Sequence, residues 1–310
     1  MGLIKNKKGF FFTVTTIMLL LVFLLGYSIY SMSKDRSSVS RRIDSLNNFV
    51  FSFEKDINRH LYITGFRVIF LCEKKIAETG KPITNISAVL EEAFYNGTIY
   101  GNEESFMIGA RLSDIQKKLS DVGAIVNVNG TIKPKSIRFL QEDPWNIKIE
   151  MVAEIFIFDK GNLASWNNTK TFYAYIPITY FEDPLYVMHT NGLSTNKINK
   201  TIYYPFVSEN DVSNLIKHSE NSLYTNSSLA PSFIYRLEDK IEPNPNGIES
   251  LVNAEKLSLV GIPIRDTSVV DYIYLLDNRV PSNRTQGMPD WFKLDENHSS
   301  LYQVSGLIRN

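Results

Sequence analysis

The sequence predicts an α+β protein: a long N-terminal helix, membrane-spanning and then amphipathic, packs on an antiparallel β-sheet, and an irregular α/β elaboration follows. Three patterns predict it: an uncharged apolar run, an apolar stripe at helical spacing behind it, and a later series of strand-like segments. The expected segments are a basic leader at 1–9, a transmembrane helix at 10–30, an amphipathic extension at 31–80, an α+β domain at 81–180, and an elaboration or second small domain at 181–310.

The apolar run from Phe10 to Tyr30 is the strongest signal in the chain. It carries no charge for about 20 residues, the length at which a helix crosses roughly 30 Å of hydrocarbon, so we expect a lipid bilayer as its partner. A cleaved signal peptide is the alternative, but its apolar stretch is usually about 7–15 residues, and residues 31–33 make a poor cleavage site. Lysines and arginines flank both ends of the run, so these charges do not fix its orientation.

Eight Asn-x-Ser/Thr sequons, all after the apolar run, indicate which side the body faces. They are Asn85, Asn96, Asn129, Asn167, Asn199, Asn226, Asn283 and Asn297. Glycosylation at these positions would place the body outside the cell, although an asparagine-rich composition also produces sequons by chance. We therefore expect a single-pass glycoprotein of the cell membrane whose C-terminal body is extracytoplasmic.

An apolar stripe continues the helix beyond the run. Its members recur mostly at steps of three and four residues: Val39, Ile43, Leu46, Val50, Phe53, Ile57, Leu61, Val68, Leu71 or Cys72, and Ile76. Because no proline precedes Pro82, residues 10–78 are predicted to form one nearly continuous helix, bent at Gly65 and ended by Gly80. The stripe would cover a sheet or pair with another helix in a coiled coil, and the spacing does not separate these two arrangements.

The N-terminus resembles the prepilin signal of type IV pilins and archaeal pilin-like proteins. The resemblance rests on Lys7-Lys8-Gly9-Phe10, on Thr13 and on the two-part helix behind them, and it covers about 70 residues. In that family a membrane aspartic peptidase cuts after the glycine, here between Gly9 and Phe10, and the new N-terminal helices bundle into a filament core. The resemblance therefore implies a prepilin peptidase and other pilin-like subunits as partners.

One position departs from the bacterial pattern. Bacterial pilins usually have a glutamate five residues into the mature chain, where it pairs with the N-terminal amine, and this chain has Val14 there. A buried amine without a partner is costly. The chain therefore follows a looser archaeal pattern, is a minor or non-polymerising member, or is an anchor that only resembles a pilin. The body, including residues 181–186, resembles uncharacterised archaeal surface proteins, which implies no activity.

The body is predicted to combine helices with an antiparallel meander, which the amphipathic helix would cover. The predicted helices are 84–95, one opening at 113–119, and short ones at 211–223, 232–238 and 247–257. The predicted strands are 124–128, 136–140, 147–158, 169–178 and a buried one at 268–276. Turns are predicted at Asn129-Gly130, Asp143-Pro144 and 160–162, and the chain beyond Pro184 is otherwise expected to be irregular.

Composition narrows the class of function. The 310 residues are 44% hydrophobic and 12% aromatic, as in a packed globular body. The 33 basic residues balance 33 acidic ones, so we expect no nucleic-acid partner. A single cysteine, Cys72, excludes a disulfide within the chain, and its place near the apolar stripe predicts a buried thiol.

No residue pattern predicts catalysis, a cofactor or a metal. The phosphate-loop, dinucleotide-binding, nucleophile-elbow and zinc-helix motifs are absent from the sequence. Four histidines are too far apart in sequence to suggest a metal pair: His60, His189, His218 and His298. Glu182-Asp183-Pro184 is predicted to be an ordinary turn. Three further aspartates lack the spacing of a calcium loop: Asp266, Asp271 and Asp277.

We therefore expect a protein that is not an enzyme: a pilin-like structural or accessory protein of a cell-surface filament or envelope assembly. The alternative is a membrane-tethered extracytoplasmic receptor or solute-binding module, which requires a deep apolar pocket with converging polar groups. An anchored hydrolase is a third hypothesis, for which the residues assemble no nucleophile–base or metal site.

Overall fold

A computed structural model describes residues 7–162 and 164–309 and confirms the α+β fold. The helices are α1 (Lys7–Thr79), α2 (Ile86–Asn96), α3 (Leu112–Ile125), α4 (Pro184–His189), α5 (Ser213–Glu220), α6 (Phe233–Leu237), α7 (Ala254–Leu259), α8 (Asp271–Tyr274) and α9 (Glu296–Leu301). The strands are β1 (Thr98–Ile99), β2 (Asn102–Glu103), β3 (Val128–Asp143), β4 (Asn146–Asp159), β5 (Ser165–Pro177), β6 (Tyr224–Asn226), β7 (Ile248–Ser250), β8 (Ser282–Thr285), β9 (Lys293–Asp295) and β10 (Ile308–Arg309). Residues 1–6 of the predicted leader lie outside the described residues.

Helix α1 is 73 residues long and confirms the predicted continuous helix. It ends at Thr79, and the following Gly80, which has a positive φ of 65°, caps it by donating its N–H to the Ile76 carbonyl at 2.7 Å. The chain divides into two compact units, and α1 contributes residues to both. Unit 1 comprises residues 1–55, 118–131 and 155–168, and unit 2 comprises residues 56–117, 132–154 and 169–310.

In unit 1 the apolar stripe becomes buried only from Leu46 onward. Val39 and Ile43, predicted to belong to the core face, are 39% and 37% exposed, and Leu46 is the first buried member of the stripe. Phe49, which the predicted stripe omitted, is buried and stacks on Phe53 with ring centroids 6.4 Å apart.

Unit 1 also contains a partly buried ion pair. Arg42 of α1 donates from Nη2 and Nε to Asp159 Oδ1 at 2.8 and 3.1 Å. The Asp159 side chain is fully buried, so this guanidinium supplies the charge that the buried carboxylate requires.

In unit 2 the stripe of α1 covers a sheet of order β3-β4-β5. Ile57, Leu61 and Cys72 have no exposed surface. Gly65, predicted as a bend, is a point of close approach: a Cβ there would lie 1.9 Å from Ile149 Cδ1. Its other neighbour is Ile176 Cδ1, at 2.9 Å from that Cβ position. Ile149 is in β4 and Ile176 in β5, so within this unit α1 packs on the sheet, as one of the two predicted arrangements requires.

Three predictions around the meander are corrected or confirmed by local chemistry. The segment 124–128 was predicted as a strand, but α3 extends to Ile125 and β3 begins only at Val128. Asn129-Gly130 lies inside β3 instead of forming a turn, because Gly130 makes room for Leu119 and Ile157, which would lie 3.1 and 3.2 Å from a Cβ there. The turn at Asp143-Pro144 is confirmed.

The C-terminal half is more regular than predicted. Asp183 Oδ1 accepts the Leu185 N–H at 2.9 Å, and Pro184 occupies the first turn, so α4 begins where irregular chain was expected. The predicted helix 247–257 divides into β7 and α7. The predicted strand 268–276 contains α8 instead, because burial overrides the strand propensity of its β-branched residues. Small antiparallel sheets complete the unit: β1-β2, β6-β7 and β10-β8-β9.

Candidate functional site

The N-terminal part of α1 presents an apolar surface that the described chain does not cover. Every residue from Gly9 to Tyr30 is exposed, including Phe10 at 76% and Phe23 at 74%. Starting at Gly9, α1 is long and apolar enough to cross a bilayer. A patch of this size on a protein marks contact with lipid or with other protein, because soluble chains rarely leave such an area in water.

Three threonine hydroxyls near the start of this segment are bonded inside the helix. Thr13, Thr15 and Thr16 each donate their hydroxyl to the carbonyl four residues earlier, at 2.8, 2.9 and 2.8 Å. A hydroxyl that is already bonded carries little cost in an apolar medium. These three hydroxyls therefore need no water, and the expected cleavage point, Gly9–Phe10, lies exposed within α1.

Most of the sequon asparagines lie at the surface of the described chain. Seven are exposed: Asn85, Asn96, Asn129, Asn167, Asn226, Asn283 and Asn297. Asn199 is half-buried, and its amide Nδ2 donates to the Lys197 carbonyl at 3.4 Å. Asn85 also caps α2 by accepting the Ala88 N–H, so its side chain already has a structural role.

A fully buried ion cluster lies in the C-terminal half of unit 2. Arg236 in α6 has no exposed surface and donates to Asp183 Oδ2 at 2.5 Å and to Asp271 Oδ2 and Oδ1 at 3.0 and 3.2 Å. It also donates to the Ile248 carbonyl. Burial by itself would lower the pKa of Arg236, but Asp183 and Asp271 outweigh it and raise that pKa, so the guanidinium stays charged.

The partners of Arg236 are themselves held by further hydrogen bonds. The Tyr224 hydroxyl donates to Asp183 Oδ2 at 2.7 Å, and Ser250 donates its N–H and its hydroxyl to Asp271 Oδ2 at 2.9 Å. Burial raises the pKa of Asp183, and the charge of Arg236 opposes that rise. Glu182-Asp183-Pro184, predicted to be an ordinary turn, thus supplies a helix cap and a buried ion pair. Arg236 Nε is buried and has no hydrogen-bond partner among the described residues, but the other two guanidinium nitrogens and both carboxylates are bonded within the cluster. The cluster therefore ties α6 to Asp183, which precedes α4, and to Asp271 of α8.

A cavity of about 560 Å³ lies elsewhere in unit 2, beside α9. Its walls combine apolar and polar residues: Leu229, Ile241, Val280, Asn278, Asn283 and Asn297. His298, which is 3% exposed, also lines it, and its Nδ1 lies 2.8 and 2.7 Å from the two carboxylate oxygens of Asp295. His298 Nε2 lies 2.9 Å from the Tyr272 hydroxyl and 3.4 Å from Glu249 Oε2.

These contacts fix His298 as a cation. Burial would lower its pKa, but the hydrogen bonds to Asp295 and the nearby carboxylate of Glu249 outweigh burial and raise the pKa to about 10. Burial would likewise raise the pKa of Asp295, yet the bonds from His298 lower it. Since both ring nitrogens are engaged and the imidazolium is charged at neutral pH, His298 is a poor general base. The cavity is large enough for a small molecule, and His298 could contribute there to binding that molecule or to the stability of the fold.

The three aspartates considered as calcium ligands do not come together in the folded chain. The three aspartates each contact a different cation: Asp266 contacts Lys293, Asp271 contacts Arg236, and Asp277 contacts Arg265. The described part of the chain contains no group of three or more metal-binding side chains.

The remaining histidines and the cysteine lie apart from the cavity beside α9. His189 Nε2 lies 2.7 Å from Asp239 Oδ1, and His60 is half-buried in α1. His218 is buried against the rings of Phe206 and Tyr302, and burial lowers its pKa to about 3, so it is neutral. The buried thiol predicted for Cys72 is confirmed.

The sequence did not predict the ion cluster around Arg236 or the charged contacts around His298. Asp183-Pro184 is a helix-start signal that could have located α4, but no local pattern connects it with Arg236. No family model matches this chain, and no curated protein or solved structure matches it. The geometry of α1 and of the body is therefore the basis for a functional proposal.

Proposed function

We propose that this protein is a membrane-anchored, outward-facing, pilin-like structural or accessory protein of a cell-surface filament or envelope assembly. One observation carries the proposal: a single helix, α1, is apolar and uncovered from Gly9 to Tyr30 and packs on a sheet in unit 2. The uncovered part needs lipid or the helices of other subunits around it, while the packed part ties it to a folded body.

The side of the membrane is proposed from the sequons. None of the eight asparagines is buried, and seven are exposed, as attachment of glycans to a folded body requires. An extracytoplasmic body agrees with this distribution. On this proposal the chain follows the looser archaeal pattern at Val14, whose side chain is 40% exposed and offers no carboxylate to an N-terminal amine.

The test is N-terminal sequencing of the full chain purified from membranes. We expect a mature chain that begins at Phe10, because Gly9 precedes the apolar run as a prepilin cleavage site requires. A Gly9→Val variant should keep its leader, whereas the matched Gly26→Ala variant should be processed normally, since a Cβ at Gly26 meets nothing within 4 Å. An intact N-terminus in the wild-type chain would remove filament assembly from consideration.

Orientation needs a separate measurement. Protease treatment of intact cells should degrade the body, and the intact mass of the purified chain should exceed that of the polypeptide by whole sugar units. Substitution of the exposed Asn226 by Gln should remove one such increment. A body protected from protease in intact cells contradicts the proposed topology.

The cavity beside His298 supports a second candidate, a tethered solute-binding module. Its volume of about 560 Å³ is within the range of small-molecule sites. Native mass spectrometry of the detergent-solubilised chain should then show a bound molecule that a Val280→Trp substitution expels. The control is Leu259→Trp, because Leu259 is 82% exposed and does not line the cavity. A chain that carries no such adduct, or keeps it in the Val280 variant, contradicts this candidate.

A further inference from the structure

A second recess in unit 2 lies between α1 and the start of α4 and has a volume of about 390 Å³. Phe70 and Ile76 of α1 and Val187 of α4 supply apolar wall. Two carboxylates, Glu73 of α1 and Glu182 before α4, also line it. We name it the Glu73 recess. Its volume suits a small molecule, and its wall suits a molecule with both a hydrocarbon part and a charged part.

The two carboxylates lie close together and are incompletely satisfied. The Glu182 backbone N–H donates to the Glu73 carboxylate. Glu73 Oε1 and Glu182 Oε2 are shielded from solvent and have no hydrogen-bond partner among the described residues. A shielded carboxylate oxygen without a donor costs free energy, so each of these two atoms is a vacant acceptor for a donor from outside the chain.

No cation of the described chain neutralises this pair. Lys74 is the one lysine or arginine among the described residues that line the recess, but its side chain is 52% exposed and its Nζ lies 3.7 Å from Glu78 Oε1. Asp183 adds a third negative charge nearby, although Arg236 engages it. Burial first, and then the charges of Glu182 and Asp183, raise the pKa of Glu73 to about 9. Among the described residues, therefore, no cation is paired with the Glu73 and Glu182 carboxylates.

We propose that the Glu73 recess binds a small aliphatic amine in its ammonium form, with the nitrogen between Glu73 Oε1 and Glu182 Oε2 and the hydrocarbon chain against the apolar wall. An ammonium group has three donors and no acceptor, which matches two vacant carboxylate oxygens and the Thr195 hydroxyl that lines the same recess. A divalent metal fits less well, because the described residues form no group of three or more metal-binding side chains and much of the recess wall is apolar, whereas such a metal keeps oxygen ligands all round it.

Binding is linked to proton release. At neutral pH the raised pKa keeps Glu73 protonated, and the bound ammonium favours its ionised form. The amine must therefore displace one proton from Glu73. Below about pH 9 its affinity should rise close to tenfold for each pH unit, because one proton leaves for each amine bound. The groups facing Glu73 are Glu182 and Asp183 from the segment before α4, and Cys72 and Lys74 are its neighbours on α1.

The experiment is isothermal titration calorimetry of the full chain in detergent, with butylammonium chloride as the probe. We expect saturable binding at one site and an affinity that rises nearly tenfold from about pH 6 to 7 and again from about pH 7 to 8. The measured heat should depend on the ionisation enthalpy of the buffer, because a proton is released. Tetramethylammonium, which has the charge but no N–H donor, should bind at least tenfold more weakly.

Variants locate the site. Glu73→Gln and Glu182→Gln should each weaken butylammonium binding at least tenfold, and Glu73→Gln should also abolish the pH dependence. Glu73→Gln resembles the protonated side chain, so the fold should persist, and circular dichroism verifies this. The control is Glu91→Gln in α2, because Glu91 is exposed and lies outside the recess. Absence of saturable binding in the wild-type chain, equal binding in Glu73→Gln, or equal competition by sodium chloride overturns the proposal.

Discussion

Replacing Arg236 by methionine tests the buried ion cluster most directly. The substitution keeps much of the side-chain volume but removes the donors to Asp183, Asp271 and the Ile248 carbonyl. Both carboxylates then remain in an interior where neither has exposed surface. Breaking a buried pair by removing one partner costs about 3–5 kcal/mol, and Arg236 serves two carboxylates, so we expect the upper half of that range.

A triple variant separates lost packing from uncompensated charge. Arg236→Met combined with Asp183→Asn and Asp271→Asn removes all three charges while amide oxygens can still accept from Tyr224 and Ser250. Neutral replacement of a whole buried ion cluster is often nearly neutral for stability. We therefore expect the triple variant to recover at least half of the free energy of unfolding that the single variant loses.

The assay is urea unfolding of the full chain in detergent micelles, followed by near-ultraviolet circular dichroism. Arg59→Met is the control, because the Arg59 side chain is 67% exposed and its Nη2 lies 3.9 Å from Asp56 Oδ1, so its loss should change stability by less than about 0.5 kcal/mol. A loss below about 1 kcal/mol for Arg236→Met, or a triple variant no more stable than the single one, would refute the account of the cluster.

Two other predictions concern stability. The folded pKa of His298, about 10, exceeds its ordinary 6.5, so its contribution is fully present below pH 6.5 and is lost as pH rises through 10. Over this pH range the free energy of unfolding should fall by at most about 4–5 kcal/mol. In urea unfolding the wild-type midpoint should fall as pH rises, and the midpoint of the His298→Asn variant should lack this fall. Gly247→Ala should lower the melting temperature more than Gly65→Ala: the new Cβ would lie 2.0 Å from the Ala230 backbone oxygen, whereas Gly65 faces movable isoleucine ends. Equal losses for the two alanine variants would contradict this ranking.

The sequence predicts those parts of the fold that depend on local periodicity. Helix α1 and strand β4 follow from regular apolar spacing, and Asp143-Pro144 follows from turn chemistry. The errors occur where local preference competes with tertiary packing: the β-branched residues before α8 favour a strand, but burial holds them in and beside a helical turn.

The charged sites could not be predicted, because their members are far apart in sequence. Arg236 is 53 residues from Asp183 and 35 from Asp271, and each alone is expected at a surface. Glu73 and Glu182 of the Glu73 recess are similarly separated, and only the folded chain brings their oxygens together.

The single thiol of the chain has a practical consequence. Cys72 has no exposed surface, and burial followed by the charge of Glu73 raises its pKa to about 12. A thiol that is neither accessible nor ionised reacts slowly with maleimides and disulfide reagents. Spin labels or fluorophores can therefore be attached to introduced cysteines of the native chain with little labelling of Cys72. Alkylation of Cys72 itself would report opening of the packing around this part of α1.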